Sequence, residues 1–454
     1  MLLLITNSFA AINVIHSGLI KEMDKKYEVH ILSSLLGKAE ISLINKHFHI
    51  QTRLVDIPVP AESNLITMLR RIQKAIFFHF FQIETRKIKS LGAGRFSNFI
   101  SYQIFLILSL LKLDKPLLIL LRKLIINLSG HTTNLKKLRA FRFCGVLSSS
   151  PLALCENRIV NFCQKNKIPS IGMIISWDNL TSKGIINANH SCMLVWNQFM
   201  ADEYREFYSI FGLNKTKIHI TGIPRFDNYF RKIPVDSQQT DFKRKFNIKP
   251  SDKIILFATS SCKLFPNQIA VMQDLIAYIR QNKSTVLIVR CHPADYFQLY
   301  ESFLHEKNVR IWHPDEHTAS TQLRSAEWMP DLHFLDSLSE MIRNCDVCVN
   351  VASTMRLDAA ACNKHIISIA YDGNNTLPYS ESVRMLYDYS HQLPLNRLKI
   401  DKMVTNKPEL FEALDTFLTN FLECDNLSKV KPFIFHKEPK SVSTAMSAIE
   451  RCLN

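Results

Sequence analysis

Short unbroken apolar runs alternate along this chain with segments whose apolar residues recur at helical spacing. Residues 2–6 are an apolar run, 15–23 have helical spacing, and 27–33 (Tyr-Glu-Val-His-Ile-Leu-Ser) read as a second strand. The pattern resumes with a strand at 145–148, a helix around 152–166 and a strand at 169–176. Runs of this length without polar interruption fit strands covered on both faces. A polar stretch with a proline, 234–240, reads as a linker. Beyond it come a strand at 254–258, a helix at 267–282, a strand at 285–290, and strands at 346–350 and 365–370 around a helix containing Met355 to Cys362. Such alternation predicts an α/β fold of parallel sheets with crossover helices. The expected division is an N-terminal domain over 1–230, a linker over 231–250, a second domain over 251–430 and a C-terminal tail or helix over 431–454.

Charge singles out one segment. Between residues 68 and 142 fifteen Lys and Arg stand against only Glu84 and Asp114, so this stretch carries 13 of the net +16 charges. It is interleaved with Phe78, Phe80, Phe81, Ile104, Phe105, Leu106 and Ile125. Bulky aliphatic faces beside Lys and Arg suit an anionic membrane surface better than a nucleic acid. The competing expectation is that these faces pack on the first domain and leave the charges solvated.

Composition removes several classes. A hydrophobic fraction of 47% excludes disorder. No G-x-x-x-x-G-K-[ST] occurs, and Gly92-Ala93-Gly94-Arg95-Phe96-Ser97 lacks the third glycine of a dinucleotide fingerprint, so it reads as a loop. The uncharged stretch inside the basic segment, 96–111, has 16 residues, short of the roughly 20 needed to span a bilayer. The first apolar run lacks a basic flank and is read as a strand, not a signal peptide. Eleven cysteines without regular spacing point to a reducing compartment, and Cys345-Asp-Val-Cys348 is read as structural.

Open α/β sheets bind ligands beyond the carboxyl ends of their strands, and three such ends carry chemistry. After the strand at 169–176, Trp177-Asp178-Asn179-Leu-Thr-Ser-Lys183-Gly184 sets a carboxylate, an amide, two hydroxyls and an ammonium in one turn. Asp178 there either accepts a proton from an attacking hydroxyl or caps the following helix. At Arg290-Cys-His292-Pro293 the arginine and histidine alternate on one face and suit an anion, or are an ordinary loop Arg and a satisfied His. At Asn350-Val-Ala-Ser353-Thr354-Met-Arg-Leu-Asp358 a helix starts where a phosphate can meet its first N–H groups, with Asp358 one turn on towards a ribose hydroxyl. Ser353 also fits simple capping. Ser260 and Ser261, after the strand at 254–258, join the donor side, and Asn7 and Asn13, near the end of the first strand, are candidates for the acceptor side with Asn179 and Lys183.

These motifs, with Ile218-His-Ile-Thr-Gly222-Ile-Pro224-Arg225-Phe-Asp227, Cys345-Asp346 and Tyr371-Asp372, resemble the CDP-glycerol glycerophosphotransferase superfamily over roughly residues 170–375. More broadly the chain is similar to bacterial surface-polysaccharide glycosyltransferases of the GT-B fold, two Rossmann-like domains with parallel sheets facing across a cleft. The resemblance implies that Arg290, His292, Ser353 and Thr354 hold a nucleotide diphosphate and that the first domain ends near Asp227. In the polyol-phosphate members the strand-end motif reads Trp-His-Gly-Thr, with the His as base. Here Asp178 and Asn179 take the His and Gly positions, a departure compatible with a carboxylate base for glycosyl transfer. The absence of an Asp-x-Asp motif, and the metal independence of similar GT-B enzymes, imply no metal and no cofactor for the reaction.

The expectation is therefore a glycosyltransferase, peripheral on the inner face of the cytoplasmic membrane. It would move a sugar, with inversion, from a nucleotide-sugar donor to a lipid-linked glycan acceptor, with Asp178 as base. Polyol-phosphate transfer, nucleotide-sugar epimerisation and a basic nucleic-acid- or membrane-binding role are the alternatives.

Overall fold

A computed structural model of the 454-residue chain describes residues 1–91, 103, 107–129, 133–231, 235–314, 329–419 and 423–454. The Gly92 to Ser97 motif, the side chains of Ile104, Phe105 and Leu106, most of the uncharged stretch 96–111 and Pro234 lie outside these residues.

Two parallel sheets organise the chain. The first contains β1 (Leu2–Ile5), β2 (His30–Ser33), β3 (Arg53–Leu54), β4 (Val146–Ser148), β5 (Ser170–Met173), β6 (Cys192–Val195) and β7 (Lys217–Ile220), in the order β3-β2-β1-β4-β5-β6-β7. The second contains β8 (Lys253–Ala258), β9 (Thr285–Arg290), β10 (Val309–Trp312), β11 (Val347–Asn350), β12 (His365–Ile369) and β13 (Lys402–Val404), in the order β10-β9-β8-β11-β12-β13. Both orders follow the doubly wound scheme, in which the winding direction reverses beside the first strand of each sheet. Those reversal points lie between β1 and β4 and between β8 and β11. The central strands are apolar because helices cover both their faces: every residue of β1, β4, β5, β6, β9 and β11 is buried.

The chain divides into one unit of Met1–Asp227 with Pro432–Asn454, and a second of Asn228–Lys431. The last residues thus return to the first unit as the helix Ser441–Leu453 instead of forming a separate tail. The stretch 231–250, expected as a linker, contributes the helix Val235–Lys245 to the second unit. The Gly222-Ile-Pro-Arg-Phe-Asp227 motif explains how the chain returns. Gly222 has φ +76°, and a methyl group there would lie 2.7 Å from Phe435 Cα and 3.0 Å from the Ile434 carbonyl. Only glycine lets the returning segment pass so close. Asp227 then accepts from the Ser441 and Val442 N–H groups, both at 2.8 Å, and so satisfies the open end of the last helix.

The basic segment is built into the first unit. The helix Asn64–Phe80 buries Ile66, Gln73, Ile76, Phe77 and Phe78, and the helix Asp114–Ser129 buries Leu118, Leu121, Arg122 and Ile125. Arg122 is held by the carbonyls of Ile186 (3.0 Å) and Ala188 (2.8 Å) and by Asn189 Oδ1 (2.8 Å), and Gln73 pairs with Asn187. The outer side of the same helices is both apolar and basic. Leu65, Met68 and Ile72, and Leu120, Leu124 and Leu128, are exposed at helical spacing, beside exposed Arg71, Lys115 and Lys123. The expected packing on the first domain is thus made by the inner faces of these helices, while their outer faces stay exposed. No helix among the described residues is long and apolar enough to cross a membrane.

Candidate functional site

In the first unit β5 runs through Ile174 and Ile175 into a turn at Asp178, followed by the short helix Asn179–Ser182. Asp178 makes no side-chain capping bond to that helix. Its Oδ1 accepts from Ser176 Oγ at 2.5 Å and from Asn179 Nδ2 at 3.3 Å, and its Oδ2 accepts from Ser182 Oγ at 2.6 Å. The carboxylate is therefore oriented by hydroxyls and by its neighbour's amide. Asn179 acts here through Asp178.

Charge from the basic segment gathers around this turn. Lys74 is pushed down to about 8, first by burial and then by Arg70, Lys183, Lys89 and Arg86. Lys89 is lowered by burial and by Lys183, and Asp178 offsets part of that effect. The Lys74 stem lies along Gly184, where an added methyl would be 3.3 Å from Lys74 Cγ and Cδ. Glu203, raised to about 8 by burial and by the charges of Glu206 and Asp178, adds a carboxyl that stays largely protonated at neutral pH. A carboxylate amid several cations can accept a proton from a hydroxyl, and the cations can hold an anionic substrate beside it. Lys183 is exposed.

Asn7 and Asn13 have other duties. Asn7 caps the helix Ser8–Ala11 by accepting from Ala10 N at 3.0 Å and donates to Ser150 Oγ, tying the ends of β1 and β4 together at the reversal point. Asn13 is buried and donates to the Phe9 carbonyl (2.9 Å) and the Ile175 carbonyl (3.4 Å). It braces the strand end leading to Asp178 and is not an open acceptor contact. A residue the sequence did not reveal, Glu156, sits fully buried at the same reversal point. It accepts from Thr6 Oγ1 (2.5 Å), Ser148 Oγ (2.7 Å) and Ser150 N (2.9 Å), and burial pushes it up to about 7. It stands inside a mixed helix, Leu154–Lys165, among other polar residues, and nothing local distinguishes it.

In the second unit the strand ends of β9, β8 and β11 lie level, since Ala258 pairs with Arg290 and Phe257 pairs with both Val289 and Val349. Arg290 is buried, its guanidinium 3.8 Å from the Trp312 ring centre and 5.0 Å from that of Phe334. Nη1 donates to Ser337 Oγ at 3.3 Å, whereas Nη2 is buried without a partner. Burial lowers it to about 9, partly offset by Tyr229 and Asp358, so it remains cationic at neutral pH with one donor unsatisfied. An anion completes such a group.

His292 lies beside it, at the end of the same strand. Its Nδ1 accepts from Ala294 N at 3.0 Å, and burial lowers it to about 4. The ring is therefore neutral and presents Nε2–H as a donor. The His292 N–H itself donates to Thr259 Oγ1 at 2.8 Å. Behind these ends Asp295, not evident from sequence, accepts from Thr259 (3.1 Å), Gln268 (2.8 Å) and Tyr300 (2.6 Å) and locks β8 to β9. Gln268 Oε1 also takes the Ser260 N–H at 2.9 Å. Ser261 turns the chain by accepting Lys263, Leu264 and Phe265 N–H groups. Ser353 Oγ accepts from Met355 N at 3.1 Å, and the Thr354 carbonyl takes the Leu357 and Asp358 N–H groups. Ser260, Ser261, Ser353 and Thr354 thus flank the reversal point between β8 and β11.

Asp358 departs from expectation. It is 1% exposed and accepts from Tyr229 Oη at 2.5 Å. Its helix turns it inward, so its charge acts on Arg290 and it does not reach a ribose. In a pocket along the helix Phe334–Asn344, Arg231 pairs with Asp336 at 3.5 Å and Lys245 with Glu340 at 2.9 Å, while Arg343 donates to the Asn228, Tyr229 and Arg231 carbonyls. Cys345 and Cys348 are buried and free, their thiols raised by burial.

Residues 186–421, a little over half of the chain, match the sequence profile of the family described as CDP-Glycerol:Poly(glycerophosphate) glycerophosphotransferase. No curated protein matches the chain in sequence. Among solved structures, the S. aureus MnaA–UDP co-structure is similar with a TM-score of 0.55 at 9% identity, covering 100% of this chain and 96% of that one. Neisseria meningitidis UDP-GlcNAc 2-epimerase bound to UDP-GlcNAc gives 0.53 at 11%, covering 100% and 98%. A glycosyltransferase from Rickettsia africae gives 0.51 at 9%, again covering 100% and 98%. At these identities the likeness establishes the fold, which is GT-B.

Proposed function

The chain belongs to the CDP-glycerol:poly(glycerophosphate) glycerophosphotransferase family, and from that premise we propose that it is a glycosyltransferase using a nucleotide-sugar donor. Membership makes it a transferase of the glycosyl or polyol-phosphate kind. The choice between the two rests on one observation: the Asp178 carboxylate is oriented by Ser176 and Ser182 and is not consumed in capping. A carboxylate held this way is suited to take the proton of an acceptor hydroxyl as the sugar's anomeric carbon is attacked from the face opposite the leaving diphosphate.

Arg290 and the neutral His292 are the donors we assign to that diphosphate, with Ser260, Ser261, Ser353 and Thr354 beside them. They supply charge and hydrogen bonds to the leaving group without a metal or other cofactor. The structural neighbours named for UDP or UDP-GlcNAc support a nucleoside-diphosphate ligand. The cations around Asp178, Lys74, Lys89 and Lys183, suit an anionic, lipid-linked glycan acceptor. Such an acceptor agrees with the outer face of the helices Asn64–Phe80 and Asp114–Ser129, whose exposed leucines and lysines fit an anionic leaflet at about 1 kcal/mol per basic residue. We assign the enzyme to the inner face of the cytoplasmic membrane and assign no nucleic acid as partner.

The test begins with a thermal-shift screen over UDP, CDP, GDP, CMP and dTDP, since a ligand at 100 times its Kd stabilises by about 2.7 kcal/mol. The matching nucleotide sugar is then incubated with lipid-linked acceptors. Nucleotide release that depends on acceptor supports glycosyl transfer. Sugar interconversion without net release would identify an epimerase, and activity with CDP-glycerol alone would identify polyol-phosphate transfer.

A further inference from the structure

Three residues distant in sequence meet at the edge of the first sheet. Cys192 opens β6, and His219 lies on the neighbouring edge strand β7, where Cys192 pairs with Lys217 and Leu194 with His219. In parallel strands that register puts Cys192, Leu194, Lys217 and His219 on one face. The C-terminal helix Ser441–Leu453 brings Cys452 to that face. One ligand atom from each of Cys192, His219 and Cys452 lies within 4.8 Å of the others, the only grouping of this kind among the described residues.

We propose that Cys192, His219 and Cys452 form a site for a soft divalent metal ion, zinc by the chemistry of its ligands, which fastens the C-terminal helix to the first sheet. Two thiolates and an imidazole are a zinc donor set, and their charge of −2 balances the ion. A tetrahedral ion with Zn–S of about 2.3 Å holds its sulphurs roughly 3.8 Å apart. The partly exposed edge strand leaves the fourth position to water. A further observation points to a ligand. His219 Nε2 is buried with no hydrogen-bond partner, which costs free energy until something fills its lone pair or takes its proton.

Cys192 and Cys452 are joined as a disulfide, and none of the other nine cysteines forms one. The disulfide gives His219 no role. The metal form is reached when a thiol reductant supplies two electrons and two protons, splitting the S–S bond into two thiols and itself becoming a disulfide. The incoming ion then displaces the two thiol protons, and the imidazole and water complete its shell. The same pair thus serves either as a covalent or as a metal clasp, according to the redox poise.

The test uses the full chain, reduced with a phosphine and titrated with Co(II) and then Zn(II). The expected result is one cobalt per chain, with tetrahedral d–d absorption and thiolate-to-cobalt charge transfer, both lost when zinc displaces it. Zinc should raise the Tm of the reduced chain. Cys452→Ser, which alters a partly exposed position near the chain end, and His219→Gln should each weaken binding on the order of 100-fold or more. The oxidised chain, with its sulphurs already bonded, should bind none. The proposal is overturned if the reduced wild type binds no more cobalt than a Cys192→Ser/Cys452→Ser double variant. It is equally overturned if His219→Gln gives the wild-type spectrum and affinity. The wild-type titration stands on its own should a variant fail to fold.

Discussion

Replacing Asp178 by Asn tests the assigned base with little change of shape. The carboxylate accepts from Ser176 Oγ at 2.5 Å and from Ser182 Oγ at 2.6 Å. An amide keeps one of these bonds through its oxygen and reverses the other, because a hydroxyl also accepts. Exchanging two charge-assisted bonds for neutral ones costs about 1 kcal/mol each, so Asp178→Asn should stay folded. Loss of a general base lowers a rate by about 10²–10⁴-fold, or about 2.7–5.4 kcal/mol of barrier. The assay is acceptor-dependent nucleotide release, with nucleotide affinity measured separately.

Glu203 gives a second, independent readout. Its folded value, raised to about 8 from 4.5 by burial, Glu206 and Asp178, means that the fold binds the extra proton. Its contribution to stability is therefore full below pH 4.5 and is lost as pH rises towards about 8. Removing the Asp178 charge lowers Glu203, so in Asp178→Asn this loss should end at lower pH. Full transfer activity in a folded variant with normal donor affinity would refute Asp178 as base. An unchanged pH profile of stability would refute the coupling to Glu203.

Arg290→Gln removes the buried fork with its open Nη2 and should weaken nucleoside-diphosphate binding about 10- to 100-fold by calorimetry, from a lost charge-assisted bond of about 1.5–3 kcal/mol. Equal affinity in the two proteins would show that the diphosphate lies elsewhere. Lys74, pushed down to about 8, carries its charge below that value and loses it above. Affinity for an anionic acceptor should therefore fall as pH rises through about 8, and Lys74→Met should bind weakly with a smaller step, the remainder belonging to Glu203. A step of the same size in the variant would contradict the role of Lys74. Gly222→Ala combines a positive φ, costing about 1–2 kcal/mol, with a methyl 2.7 Å from Phe435 Cα and crowding Ser441. Urea unfolding should show a loss of about 2–4 kcal/mol by the overpacking rule, and an unshifted midpoint would rule out the close approach.

Much of the candidate site was legible because strand ends are local features. An apolar run that stops at a polar turn marks the end of a buried strand, and Asp178, Arg290, His292, Ser353 and Thr354 all follow such runs. What those side chains touch was not legible. Asp358 is one turn into an Ala-rich helix, and only the packing of Tyr229 against it shows that it faces inward. Glu156 and Asp295 are single carboxylates whose partners come from other elements, so no spacing rule finds them. The basic segment read as one body of charge. In the fold Arg70, Lys74 and Arg122 turn inward, while Lys115 and Lys123 stay with the exposed leucines.

By itself the sequence determined the class of fold, two parallel sheets with crossover helices, and the strand ends at which to look for chemistry. Those follow from hydrophobic periodicity and chain direction, which act over a few residues. Only the tertiary structure decided that residues 432–454 return to the first unit, that Gly222 and Asp227 exist to receive them, and that Cys452 meets Cys192 and His219. Such contacts depend on which distant element covers which face, and no local pattern encodes a partner more than 200 residues away.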